Sequence, residues 1–264
     1  THHGRVAGSF RKGRQLIAGD AAHLMPVWMG QGWNSGMRDA TNLGWKLTSV
    51  LTGTAGEDIL DTYTSERKDH AKAMVDLSMT LGSVIKITNP LAVAARDAAS
   101  SVLNLFPSAK SYFSDMRFKP MPRYTSGVLA DPTTQSSGTA AAKLTSKLIP
   151  VKTANRKVSP VGVQFPQPRV NSQLGENLLL DDVIGNWWTV LVWGNDPKDV
   201  LPAHSIKALE ALGAKLVALV PETQREWAQE HMSEDVLVLG DHTGALKKWF
   251  DERPTPMIFL RPDR

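Results

Sequence analysis

The chain of 264 residues contains no cysteine. That absence excludes a disulfide framework, a CxxC redox pair and any thiolate-ligated metal. No uninterrupted apolar stretch approaches the ~20 residues that a membrane-spanning helix needs. The N-terminus, Thr1-His2-His3-Gly4, lacks the apolar segment of a secretory signal. These absences together lead us to expect a cytoplasmic location and no membrane partner. There is no initiator Met, so the chain is expected to begin inside a longer protein. Acids are missing over one long stretch: none lies between Asp131 and Glu176, where Lys143, Lys147, Lys152, Arg156, Lys157 and Arg169 are all basic. That stretch lacks interleaved aromatics and is rich in Ser, Thr and Pro. It reads as a solvated linker rather than a nucleic-acid surface.

What is present suits a folded protein. Hydrophobic residues make up 42% and charged residues 21%, with a net charge of +4, which excludes wholesale disorder. Arg14 to Ala18 reads as a buried strand ended by Gly19-Asp20. A loop with Pro26, Gly30 and Gly32 follows. A helix is predicted from Trp33 to Leu51, with Met37, Ala40, Leu43, Leu47, Val50 and Leu51 forming its buried face. A second helix is predicted from Asp58 towards Ile87, with Leu60, Tyr63, Arg67, Met74, Leu77, Leu81 and Val84 as its stripe. A third runs from Leu91 to Leu105 and is ended by Pro107. Residues 126–160 read as a connector.

Beyond it, strands and helices alternate. Strands are expected at 187–193, 214–220, 235–239 and 257–260, and helices at 205–212 and 245–251. Alternation of this kind implies βαβ units and a small open sheet. Along the first strand, Trp187 and Trp193 fall on one face. Thr255-Pro256 reads either as a cis-proline turn or as an ordinary edge proline.

The stretch that carries chemistry is Gly19 to Asn34. A strand ending in Gly19-Asp20 sets a carboxylate at its carboxyl end, where ligands of α/β sheets gather. Gly30 and Gly32 allow close backbone approach to a ligand. The loop then delivers the N-terminus of a long helix, whose free N–H groups suit an electron-rich group. A plain strand, loop and helix with no ligand fits the same residues.

Matched positions extend well beyond this loop. Gly19-Asp20-Ala21-Ala22-His23, Pro26, Gly30-Gln31-Gly32, Asn34, Gly36, Asp39-Ala40, Asn42-Leu43 and Trp45-Lys46-Leu47 stand in one register. Leu60-Asp61-Thr62-Tyr63 and Glu66-Arg67 continue it. This string resembles the second flavin-binding motif of the FAD-dependent aromatic hydroxylases, the single-component group A flavoprotein monooxygenases. Thr1 to Ala7, Ala71 to Met74 and Lys119 to Tyr124 are most similar to the branch acting on 3-hydroxyphenylpropanoate-like acids. The resemblance continues weakly through Phe165 to Val170 and Arg261 to Arg264.

The resemblance implies an α/β fold. Residues 1–125 would be the C-terminal, mostly helical portion of a Rossmann-like FAD/substrate domain, and 126–160 a linker. Residues 161–264 would be a small thioredoxin-like α/β domain without redox cysteines, used in packing or as a homodimer contact. The implied cofactor-binding residues are Gly19, Asp20, Pro26, Gly30, Gln31, Gly32, Trp33 and Asn34. Asp20 would meet the ribityl and ribose side of FAD. The backbone at Gly32, Trp33 and Asn34 would face the pyrimidine edge of the flavin. NAD(P)H as co-substrate would reduce FAD, and O2 would form a C4a-hydroperoxide that hydroxylates a phenolic aromatic acid. The alternatives are a hydroxylase of another phenolic or polyketide substrate, and a non-enzymatic thioredoxin-like interaction fragment.

The sequence departs from the family pattern at Val27, where a second proline is usual, and at the bulky Trp28 and Trp33. The family's GxGxxG motif is absent from these residues. The missing N-terminal half of the same enzyme is therefore an expected partner. The chain alone is expected neither to bind FAD tightly nor to hydroxylate, and no catalytic residue is assigned. His23 reads as a base or a packed loop residue. Glu66 and Arg67 read as an ion pair holding the helix to the flavin domain or as substrate contacts, and Arg38 and Asp39 as a buttress of the loop. Met25, Met29 and Met37 line an aromatic pocket or fill core. His2 and His3 are too few for a metal site.

Overall fold

The computed structural model describes residues 3–130, 159–253 and 255–264. The predicted linker therefore lies outside the described residues over 131–158. The chain divides into two compact units, Thr1–Leu129 and Ala130–Arg264. The architecture is mixed α/β.

The first unit is mostly helical. Two small antiparallel pairs open it: β1 (Arg5–Val6) with β4 (His23–Leu24), and β2 (Arg11–Lys12) with β3 (Gln15–Leu16). The predicted buried strand over Arg14 to Ala18 is thus only the second arm of a two-residue hairpin. Gly13 turns it at φ +60°, and Gln15 and Ala18 are exposed while Leu16 and Ile17 are half-buried. So short an arm can bury one side only, here against Phe10 and Tyr63.

Helix α1 (Gly32–Leu51) and helix α2 (Asp61–Ile85) form the body of the unit. The predicted stripe on α1 is corrected. Leu43 is buried, but Met37 is 51% and Leu51 85% exposed. The buried face is instead Ser35, Asp39, Asn42, Lys46 and Ser49, with Trp45 beside it. Those five polar residues keep the four-and-three spacing of one helix face. On α2, Tyr63, Glu66, Arg67, Ala71, Met74, Val75, Ser78 and Gly82 are buried, whereas the predicted Val84 is exposed.

Helix α3 (Pro90–Asn104) starts at a proline with Asn89 as cap, whose side-chain oxygen accepts from the N–H groups of Leu91 (3.0 Å) and Ala92 (3.3 Å). Pro107, predicted as a stop, also begins helix α4 (Pro107–Ser114). Proline lacks only an N–H that a first-turn residue does not use. Residues 126–128 are tied back to α2: the Val128 N–H donates to Glu66 Oε1 at 2.9 Å.

The second unit is built on a six-stranded sheet in the order β10-β7-β8-β9-β5-β6. Strands β7 (Thr189–Trp193), β8 (Lys215–Pro221) and β9 (Leu237–Asp241) are parallel, and β10 (Met257–Leu260) runs antiparallel to β7. All four were expected from their apolar runs. Missed was the antiparallel edge hairpin of β5 (Arg169–Ser172) and β6 (Gly175–Leu179). Its mixed residues have no two-fold hydrophobic alternation, and its pairing comes from the turn and from β9.

Residues of β7 alternate between two cores. Leu191 packs with Val217, Leu239, Leu246 and Phe250, and Val190 and Val192 pack with Ala218, Val220 and Val238. Both sheet faces are covered, which is why the strand reads as a continuous apolar run. Trp193 stacks on Phe250 at 5.5 Å. Trp187 lies before the strand, where its indole N–H donates to Leu212 O at 2.8 Å. The Thr255-Pro256 bond is trans, since the described residues hold no cis peptide.

Candidate functional site

Residues 19–34 form a turn, a short strand, a second turn and the start of α1. Gly19 opens a 3-10 turn in the left-handed region at φ +57°, and its N–H donates to Asp39 Oδ2 at 3.0 Å. Asp20 is the next residue of that turn and is exposed. Its carboxylate lies beside the start of α1: a Cβ on Gly32 would stand 3.9 Å from Asp20 Oδ1. Pro26 is buried, and its carbonyl accepts from Ser78 Oγ at 2.7 Å. The turn Val27–Met29 closes on Gly30, also left-handed at φ +59° and open to space on its Cβ side. The Gln31 side chain donates to Met29 O at 3.2 Å.

Helix α1 then begins at Gly32 without a side-chain cap. Its first intrahelical bond from this end is Ser35 N–H to Gln31 O at 2.9 Å. The N–H groups of Gly32, Trp33 and Asn34 precede that bond and have no helical acceptor. Trp33 is 77% exposed, and Asn34 is exposed too. Gly19, Asp20, Gly32, Trp33 and Asn34 therefore gather at one end of α1. Pro26, Gly30 and Gln31 build the loop that leads there.

A buried ionic network holds this loop. The Asp39 carboxylate is fully buried and takes three donors: Gly19 N–H, His23 Nε2–H at 2.5 Å and Arg67 Nε–H at 2.8 Å. Burial pushes the Asp39 carboxyl up, but the hydrogen bond from His23, the Arg67 charge and the Gly19 N–H outweigh it and hold it below the usual carboxylate value. Arg67, also fully buried, reaches Ser35 O at 3.2 Å. His23 is therefore a packed residue of this network, and its Nδ1 is buried without a partner among the described residues.

A second network lies farther along the two helices. Lys46 Nζ donates to Glu66 Oε2 at 2.9 Å, and Asn42 Nδ2 donates to the same oxygen at 2.6 Å. Asn42 also donates to Tyr124 OH at 3.2 Å. Asn42, Lys46 and Tyr124 were not singled out from the sequence as parts of a network. The signal available was the polar stripe 35-39-42-46-49, which an apolar-stripe search passes over.

The other candidates divide. Met25 and Met29 fill core with Met74 and Val75, whereas Met37 stays on the exposed face of α1. Trp28 seats in a notch at Gly82, where any Cβ would strike its indole, and Lys86 lies 5.1 Å above its ring. Arg38 keeps an exposed surface on α1, and the partial burial of its guanidinium together with the Arg67 charge lowers its pKa. His70 lies within 3.5 Å of Arg67; burial and the charges of Arg67 and Arg38 push it down to about 4. His2 lies outside the described residues. Among the described residues, no group of three or more His, Asp or Glu could hold a metal, and no single helix is long and apolar enough to cross a membrane.

Residues 1–78 match the FAD binding domain family, and residues 162–264 match the HcaD C-terminal domain family. A 3-(3-hydroxy-phenyl)propionate/3-hydroxycinnamic acid hydroxylase of Mycobacterium sp. (strain JLS) is 49% identical over the whole chain, which covers 43% of that relative. The Klebsiella pneumoniae protein of the same name is 45% identical, with 44% of it covered. The chain thus spans less than half the length of the curated relatives it matches. Among solved structures, the anhydrotetracycline hydroxylase OxyS of Streptomyces rimosus aligns with 98% of this chain and 42% of its own, at TM-score 0.61 and 22% identity. The flavin-dependent monooxygenase PieE, solved with FAD and substrate, aligns with 98% of this chain and 45% of its own, at TM-score 0.61 and 21% identity. These two share the fold. Over its whole length the chain is therefore similar to a part of these hydroxylases, with the FAD binding domain match at one end and the HcaD C-terminal domain match at the other.

Proposed function

We propose that this chain supplies the loop and helix terminus that face the flavin in an FAD-dependent, NAD(P)H-consuming monooxygenase. Its substrate is a phenolic aromatic acid of the 3-(3-hydroxyphenyl)propionate or 3-hydroxycinnamate type, as the names of the relatives indicate. The observation that carries this reading is the end of α1. Three backbone N–H groups without helical acceptors open beside an exposed carboxylate, on a turn fixed from below by a buried ion.

The residues present fit FAD by their donor chemistry. Asp20 suits the hydroxyls of a ribityl chain or ribose. The N–H groups of Gly32, Trp33 and Asn34 suit the carbonyl edge of the flavin ring. There the positive end of the helix dipole stabilises negative charge. Gly30 and Gly32 let backbone approach a flat ring, and Gln31 and buried Pro26 set the course of the loop. When bound, FAD supplies hydride acceptance from NAD(P)H and O2 activation for transfer of one oxygen to the phenol ring. The chain's own residues orient that group and add electrostatic stabilisation.

The remainder of the flavin shell and the substrate pocket come, on this reading, from polypeptide outside these residues. The share of each relative that is covered supports that division. Residues 1–125 form the FAD/substrate portion, 126–160 the linker and 161–264 a thioredoxin-like domain. Support for the last is the sheet β10-β7-β8-β9, with three parallel strands and the antiparallel β10 beside β7. Without cysteine it has no thiol chemistry, and its role is packing or dimer contact. The enzyme works without a membrane or nucleic-acid partner, in the cytoplasm.

The test is FAD titration and NAD(P)H oxidation with the complete parent enzyme. The expected result is stoichiometric FAD and oxidation stimulated by 3-(3-hydroxyphenyl)propionate, with a ring-hydroxylated product. A parent enzyme that binds no FAD overturns the reading. The chain by itself is expected to show no dithionite-reversible flavin spectrum.

A further inference from the structure

The flavin-facing turn is held by a single carboxylate. Asp39 lies two turns inside α1, yet its Oδ2 takes the Gly19 N–H at 3.0 Å and His23 Nε2–H at 2.5 Å. Its Oδ1 takes Arg67 Nε–H from α2 at 2.8 Å. The three donors bracket Asp20: Gly19 precedes it, His23 follows it in β4, and Arg67 fixes the carboxylate from the opposite side. Arg67 also reaches Ser35 O at 3.2 Å, in the first turn of α1 itself. Gly19 and Gly36 meet backbone to backbone, so that a Cβ on Gly36 would stand 3.4 Å from Gly19 Cα. One ion therefore links the turn bearing Asp20 to the helix whose N-terminus lies next to it.

We propose that Asp39 is a positioning residue for FAD, acting through Gly19 and His23 to hold Asp20 against the N-terminus of α1. The proposal rests on the flavin reading above. Its physical basis is preorganisation. A turn already fixed at its binding geometry loses no conformational freedom when ligand arrives, and the lost freedom would otherwise weaken binding. The Asp39 carboxylate is wholly buried beneath the turn and meets it through the Gly19 N–H and His23.

The same helix pair contains its own control. Lys46 and Glu66 form an equally buried ion pair between α1 and α2, and none of the bonds described for it reaches residues 19–34. Asp39→Asn and Glu66→Gln each remove one buried negative charge. Of the bonds described among these residues, those of Asp39 reach the turn.

The experiment measures FAD dissociation constants for the parent enzyme, for Asp39→Asn and for Glu66→Gln, at a temperature where circular dichroism shows all three folded. Asp39→Asn is expected to weaken FAD about tenfold to a hundredfold, the effect of losing charge-assisted hydrogen bonds. Glu66→Gln is expected to change it less than about twofold, although both lower the melting temperature. Equal weakening in the two variants, or none in Asp39→Asn, overturns the positioning role while leaving the flavin reading standing. A parent enzyme without FAD overturns both. If Asp39→Asn does not fold, His23→Gln replaces it, with a smaller weakening expected and an unchanged constant again decisive against the role.

Discussion

Gly19 and Asp39, twenty residues apart, are joined by a 3.0 Å hydrogen bond from the glycine N–H to the aspartate Oδ2. The glycine lies in the left-handed region at φ +57°, and its Cα faces Gly36 of α1. A side chain at position 19 would suffer backbone strain in any space available. The pairing explains two features of the sequence at once: a glycine before the exposed Asp20, and an acid at a helix position where an apolar residue is expected.

Replacing Gly19 by Ala tests that relationship directly. A non-glycine residue in the left-handed region costs about 1–2 kcal/mol. Gly19→Ala is therefore expected to lower the stability of the first unit by about that amount, read from urea denaturation. An unchanged midpoint would show that the turn relaxes into another conformation.

The Lys46–Glu66 pair, fully buried at 2.9 Å, gives a second prediction. Lys46→Met removes the lysine from a buried carboxylate that also accepts from Asn42 and the Val128 N–H. Removing one partner of a buried pair costs about 3–5 kcal/mol. Adding Glu66→Gln to Lys46→Met also removes the carboxylate that has lost its lysine, so the double variant is expected to be more stable than Lys46→Met alone. The coupling should be about 1–3 kcal/mol. Strictly additive losses in a double-mutant cycle would contradict the pairing.

His70 gives a pH dependence whose sign follows from its shift. Its folded pKa of about 4 lies below the ordinary 6.5, through burial and the charges of Arg67 and Arg38, only partly countered by a hydrogen bond to the Pro120 backbone and by Asp39. Between these two values the unfolded chain takes up a proton that the folded chain refuses. Stability should therefore fall as pH drops from 6.5 towards 4. His70→Gln is expected to flatten that fall. Asp39, whose folded pKa is depressed, adds stability above its ordinary 3.8 that is lost as pH falls through the folded value. The His70→Gln variant should keep this more acidic loss. Equal slopes for the two proteins between pH 6.5 and 4, measured by thermal melting, would remove His70 from the account.

Much of the site was legible in the residues. Gly19-Asp20 followed by Pro26, Gly30 and Gly32 identified a turn and loop leading into a long helix, and the structure has that arrangement. The parallel strands were legible because both faces of their sheet are buried, so apolar residues run unbroken. The lack of cysteine settled the thiol chemistry without any coordinates.

The buried face of α1 was decided by tertiary structure alone. Local periodicity ranks residues by polarity and so selected Met37, Ala40 and Leu51, which are exposed. Asp39, Asn42 and Lys46 can be buried only because their partners arrive from elsewhere: Arg67 28 residues beyond Asp39, Glu66 20 beyond Lys46 and Tyr124 82 beyond Asn42. A charge is expelled from a core or welcomed into it according to whether an opposite charge stands there. The edge hairpin β5–β6 has the same cause, since β9 supplies part of its pairing. What the sequence by itself determined is the long helices, the parallel strands and the chemistry that each can offer. Which faces meet, and hence which ions hold the loop at the end of α1, was decided by contacts between residues far apart in the chain.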